Sequence, residues 1–227
     1  MTATAKRSLL AAAALVILAG IVFILRPSPV PSEVGRVARG DLRVTVEERM
    51  REAAERGTQV LILRAGDFFG GGRGSWFDLV MAKDIARGRL TYPGPLDVVH
   101  EWAYLPDLAA ALARLAAARR RLGAFETFGF SGHAVTGREF AQAIRRALGR
   151  ELRIERMSWW LVHALRWLVP LSRELSEIAY LWSIPHRIDG TKLASVIGDI
   201  PRTPFDEAVR EALRELGIAT SSPPSMS

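Results

Sequence analysis

Cysteine is absent from all 227 residues. Disulfides, thiolate metal sites and a cysteine nucleophile are therefore excluded, while the compartment is left open. Internal repeats are absent too. So is any basic block with interleaved aromatics, and so is any nucleic-acid motif. The net charge of +7 accordingly reads as arginine-rich, solvated helix faces and predicts no nucleic-acid partner. Only four histidines occur: His100, His133, His163 and His186. Nothing at metal-ligand spacing joins them, so no metal site is expected.

Apolar residues make up 49% of the chain, enough for one domain with a core plus appendages. One charge-free run, Leu9–Leu25, is just long enough for a tilted transmembrane helix. Arg26-Pro27-Ser28-Pro29-Val30-Pro31 follows and is no cleavage site. An uncleaved anchor is expected, with residues 1–26 as tip and membrane span of a single-pass inner-membrane protein. Basic residues flank both ends, so its orientation stays open. Pro27–Pro31 is a stiff linker. In Glu33–Glu48, valines and a leucine alternate around Gly40-Asp41, predicting strand, turn, strand. Anchor, linker and VGRVARGDLRVTVEE together resemble the start of a HlyD-type membrane fusion protein, a periplasmic adaptor. That resemblance ends near residue 48; neither a lipoyl-like half-motif nor a coiled-coil hairpin follows.

The rest of the chain is organised around Thr58–Phe77. Val60-Leu61-Ile62-Leu63 reads as a strand buried on both faces. The glycine cluster Gly70–Gly74 and a helical pattern over Ser75–Arg87 complete a βα unit. Ligands of open α/β sheets bind beyond the carboxyl ends of such strands, so Arg64–Phe77 is expected to line a site. Gly66, Gly70 and Gly72 also fit G-x-x-x-G-x-G, one form of a dinucleotide-binding turn. Against that form, Ala86–Pro95 is turn-like and offers no second strand for an acidic ribose ligand. The alternative is a later strand of the same kind of fold.

Further on, Glu47–Arg56 reads as a charged helix ended by Gly57. Asp97–Leu105 is extended, and Leu108–Arg121 is helical with Asp107 as its expected N-cap. Phe125–Phe130 is a strand, and His133 sits in a turn. Thr136-Gly137-Arg138-Glu139 is a capping box opening helix Gly137–Leu148. Leu152–Glu155 is a short strand. Ser158–Leu168 and Ser172–Trp182 are helices whose Trp159, Trp160, Trp167 and Trp182 are expected in a core. Thr203 is the expected N-cap of a last helix, with Pro204 at its first position, reaching Leu216. Residues 219–227 form a polar tail.

The order LILRAGDFFG, VVHEWAYLPDLAAAL, FGFSGHAVTGREFAQAIRRALGR, YLWSIPHRIDGTKL, IPRTPFDEAVREAL resembles one family. It is similar to the carboxyl-terminal half of extended short-chain dehydrogenase/reductases, the NAD-dependent epimerase/dehydratase type, over residues 49–218. The resemblance implies an α/β fold: an incomplete doubly wound, Rossmann-like domain with a helical substrate subdomain. It implies NAD or NADP as cofactor and a nucleotide sugar or similar small molecule as substrate. Ala65, Gly66, Asp67 and Phe68 match positions near a nicotinamide. Arg73, His100 and Trp102 are candidates for a substrate wall. Asp67 is otherwise a cap of the loop after the strand, and Glu101 is expected on the strand face opposite His100.

The departures bear on activity. The family's first-strand glycine turn has no counterpart here, the adaptor-like segment standing in its place. Four residues beyond Tyr92, Tyr104 and Tyr180 stand Leu96, Leu108 and Ile184, so the catalytic Tyr-x-x-x-Lys is missing. Without it no ammonium lowers a phenol pKa for proton transfer, and no catalytic residue is assigned. The expectation is a membrane-anchored dehydrogenase-like remnant, inactive alone, whose missing half a partner would supply. An adaptor fragment and a non-functional fused or truncated product are the alternatives.

Overall fold

The computed structural model describes residues 42–165 and 170–220. The anchor run Leu9–Leu25, the linker and the tail beyond Thr220 lie outside them. Among the described residues, no helix is long and apolar enough to cross a membrane.

The first described element is helix α1, Leu42–Glu55. This corrects the expected second strand of the adaptor-like segment. Alternating valines specify a strand only where a partner strand exists, whereas a helix already running through Glu47–Glu55 extends at little cost. Gly57 follows in a left-handed conformation, and the chain enters β1, Val60–Arg64. Leu61 and Leu63 pack toward a core, but the strand as a whole is half-buried, not sealed on both faces. The reason lies in its pairing. β1 runs parallel to β5, Phe125–Gly129, in register Val60 to Phe125 through Arg64 to Gly129, and the two form a two-stranded sheet. Helices α2, Leu105–Ala118, and α6, Thr191–Ile197, cover one face through Leu108, Ala111, Leu115 and Leu193.

A second sheet holds β2, Asp67–Phe69, β4, Val99–Tyr104, and β6, His133–Thr136, with β4 in the centre. β2 pairs parallel with β4, Asp67 opposite Trp102, and β6 pairs antiparallel. Strand alternation divides β4 between two cores. Trp102 and Tyr104 join Phe69, Phe77 and Phe140 in one, and Ala103 joins Phe128 and Phe130 in the other.

The expected helix Ser75–Arg87 is two short turns instead. A π-turn runs Phe77–Met81, closed by Ala82 N–H donating to the Phe77 carbonyl at 2.7 Å, and a 3-10 turn runs Ile85–Arg87. Phe77, Met81 and Ile85 nevertheless share the buried face that the spacing predicted. The turn-like stretch beyond Ala86 contains a strand. β3, Arg89–Tyr92, pairs parallel with β7, Arg153–Arg156, and buries Leu90 and Tyr92 while Arg89 and Thr91 stay half-buried.

Helix α3, Gly137–Leu148, carries the expected capping box: Glu139 N–H donates to Thr136 Oγ1 at 3.2 Å, and Thr136 N–H to Glu139 Oε2 at 2.7 Å. It packs on α7, Phe205–Glu215. Here the caps differ from expectation. Pro204 is the N-cap, and Thr203 instead donates its N–H and hydroxyl to the Asp107 carboxylate at 2.7 and 2.8 Å. Asp107 consequently ties two helices together and caps neither. Helices α4, Trp159–Leu165, and α5, Pro170–Ile178, follow β7, then a 3-10 turn over Ala179–Ser183. Trp182 and Trp159 pack on the main core, as expected, but Trp160 is 71% exposed. Trp167 lies outside the described residues.

Candidate functional site

The carboxyl end of β1 delivers Ala65, Gly66 and Asp67 to the start of β2. Ala65 packs beside the β1–β5 core. Gly66 lies flat against β4: a Cβ there would stand 2.0 Å from the Glu101 carbonyl oxygen. Only glycine permits that approach, and it sets Asp67 beside β4. On β4, His100 points to the Asp67 side, while Glu101 leaves from the other face, its Cβ against Gly66. The two neighbours do not share a site, as strand alternation requires.

The structure adds a group that sequence spacing did not disclose. His186 N–H donates to the Val99 carbonyl at 3.1 Å, which seats residue 186 along the edge of β4. The imidazoles of His100 and His186 meet edge to face, 4.7 Å between centroids. His100 Nδ1 lies 4.0 Å from Asp67 Oδ2. The ligating atoms of Asp67, His100 and His186 all fall within 4.8 Å of one another. The three come from separate segments, so the absence of metal-ligand spacing in the sequence does not reveal their meeting.

The walls fix this group firmly. His100 is 1% exposed, and Trp182 stacks on it at 5.0 Å with the rings 24° apart. His100 Nε2 stands 3.1 Å from the Trp182 carbonyl. A carbonyl only accepts, so Nε2 carries the hydrogen and Nδ1 keeps its lone pair. That Nδ1 is buried with no hydrogen-bond partner. Burial pushes the Asp67 carboxyl up to about 6, a nearby His186 charge opposing. Burial holds His100 below the ordinary histidine range. Burial also raises the Tyr92 phenol, with the Asp67 charge adding to it.

The remaining expected site residues fall elsewhere. Phe68 is exposed on β2, turned away from the core that takes Phe69. Trp102 has no solvent exposure and packs edge-on to Phe140, so its role is in the core and not in an open wall. Arg73 lines a separate open groove of about 560 Å³ with Leu79, Lys83, Leu216 and Ile218.

The glycine loop is closed on the chain's own carboxylates. Gly71 and Gly72 N–H both donate to Glu215 Oε2, at 2.6 and 3.2 Å. Gly74 and Ser75 N–H donate to the Asp78 carboxylate, which these bonds hold below its usual range against the effect of burial. The amides of Gly71, Gly72, Gly74 and Ser75 are thus taken by the chain's own carboxylates. The tyrosines offer no substitute: Tyr92 is buried with an unpartnered hydroxyl, and burial raises Tyr104 to about 12.

No family model and no curated protein matches this chain by sequence. Solved structures do match. A UDP-galactose 4-epimerase aligns at TM-score 0.55 and 16% identity, over 77% of this chain and 51% of that one. MoeE5 in complex with UDP-glucose and NAD aligns at 0.58 and 17%, over 76% and 53%. RMD from Pseudomonas aeruginosa, complexed with NADPH, aligns at 0.55 and 17%, over 82% and 59%. The likeness is one of fold. The described chain has an α/β fold that resembles theirs. The chain spans little more than half the length of the structures it matches.

Proposed function

We propose that this chain is a small-molecule-binding module of the epimerase/dehydratase type, which takes a nucleotide-linked sugar or a comparable polar ligand beyond the tip of β1. The convergence of Asp67, His100 and His186 at that tip, in the crevice where open α/β sheets bind ligands, carries the reading. The fold likeness supports the ligand class, since MoeE5 was captured with UDP-glucose.

The module does not hold NAD or NADP and does not transfer hydride by itself. Its glycine-loop amides are spent on Glu215 and Asp78, and its sequence contains no Tyr-x-x-x-Lys. A partner carrying the cofactor half would complete the chemistry. The charge-free run Leu9–Leu25 supports attachment to the inner membrane.

Titration of the full chain with UDP-glucose in EDTA, followed by tryptophan fluorescence, tests the reading. Trp182 stacks on His100 at the site, so saturable quenching is expected, weakened at least about tenfold in Asp67→Ala by loss of a charged partner. Absence of saturation, or a response indifferent to Asp67→Ala, would refute it.

A further inference from the structure

Imidazole His100 occupies an unusual position. It is almost fully buried, its Nε2–H is committed to the Trp182 carbonyl, and its Nδ1 lone pair has no donor within reach. A buried acceptor left unpaired costs roughly 1–3 kcal/mol, so such an atom calls for a partner. Around that lone pair stand a carboxylate oxygen of Asp67 and a ring nitrogen of His186, and neither side chain hydrogen-bonds to another of the described residues. A histidine whose far nitrogen is held by a backbone carbonyl is the arrangement that orients an imidazole toward a metal.

We propose that Asp67, His100 and His186 bind one divalent transition-metal ion of the Zn²⁺ class. Two neutral imidazoles and one carboxylate suit Zn²⁺ better than Mg²⁺ or Ca²⁺, which take oxygen ligands. Tetrahedral Zn²⁺ with bonds of about 2.0–2.1 Å sets its ligand atoms about 3.4 Å apart. The observed spread, up to 4.8 Å, closes by a movement of roughly 1–1.5 Å. His100 is locked by Trp182. Asp67, with 26% of its side chain exposed, and half-buried His186 have room to make that movement. Three protein ligands leave a fourth position open, on the solvent side of Asp67, for an oxygen donor such as water or a ligand hydroxyl. The proposal goes beyond the small-molecule reading and does not depend on it.

The test is metal uptake by the full chain. After EDTA treatment and buffer exchange, Zn²⁺ is titrated by calorimetry, and Co²⁺ is added as a visible probe. One ion per chain is expected, with the d–d absorption of a four-coordinate Co²⁺ site. Asp67→Asn and His186→Ala should each weaken uptake by on the order of 100-fold, because losing a ligand costs at least what losing an outer-shell partner does. Both positions are incompletely buried, and circular dichroism checks that the variants fold. His163→Ala, at an exposed histidine on α4, should bind as the unaltered chain does. No stoichiometric uptake below millimolar metal would overturn the proposal. So would uptake that Asp67→Asn and His186→Ala leave unchanged.

Discussion

At the residue scale, close contact and burial decide more than residue type does. Gly66 is the clearest case. Alanine there would drive its Cβ into the Glu101 carbonyl, and β2 cannot withdraw without losing its register with β4. Gly66→Ala should cost about 1–3 kcal/mol or more, as overpacking does, read as a lower urea midpoint. An unchanged midpoint would mean that β2 and β4 are not so tightly apposed. His133 gives a pH prediction. Burial first, and the Arg202 charge second, hold its pKa below the ordinary value. The unfolded chain then binds a proton near pH 6.5 that the folded chain refuses, so stability falls as pH drops below about 6.5. His133→Phe retains the ring contacts to Phe69 and Phe205. Its stability relative to the unaltered chain should rise as pH is lowered from about 7.5 to about 5.5, a window in which histidine in the unfolded chain takes up a proton. A pH-independent difference would contradict the assignment.

At the element scale, local signals survived and long-range ones did not. The capping box of α3 was legible because four consecutive residues encode it. Thr136→Ala should remove the bonds made by the Thr136 hydroxyl, leave the backbone N–H bond to Glu139 Oε2, and cost about 1 kcal/mol, measured by chemical denaturation. The β1 run and the left-handed glycine ending α3, Gly149, were legible for the same reason. β3 was not. Its partner β7 lies more than sixty residues away, and Gly88, Pro93 and Gly94 around it read as a turn. The caps of α2 and α7 misled because Asp107 and Thr203 satisfy each other instead of their own helices. At the site, Asp67 and His100 were each noticed, but His186 was not placed with them. A cluster drawn from two strands and a post-helical segment leaves no periodic trace.

At the scale of the whole molecule, the described residues hold a β1–β5 pair, a β4-centred sheet and a β3–β7 pair, with β4 contributing to both cores through its two faces. The α/β likeness to solved structures extends over about three quarters of the chain. The proposed function separates ligand contacts at the tip of β1 from nicotinamide chemistry. Binding of NADH and NADPH to the full chain, followed by the fluorescence of the reduced nicotinamide, tests it most directly. The account predicts no saturable change with either nucleotide up to about millimolar concentration, which sets the binding free energy weaker than roughly −4 kcal/mol. Saturable micromolar binding, abolished by altering the Gly70–Gly74 loop, would contradict it and make that loop the nucleotide site.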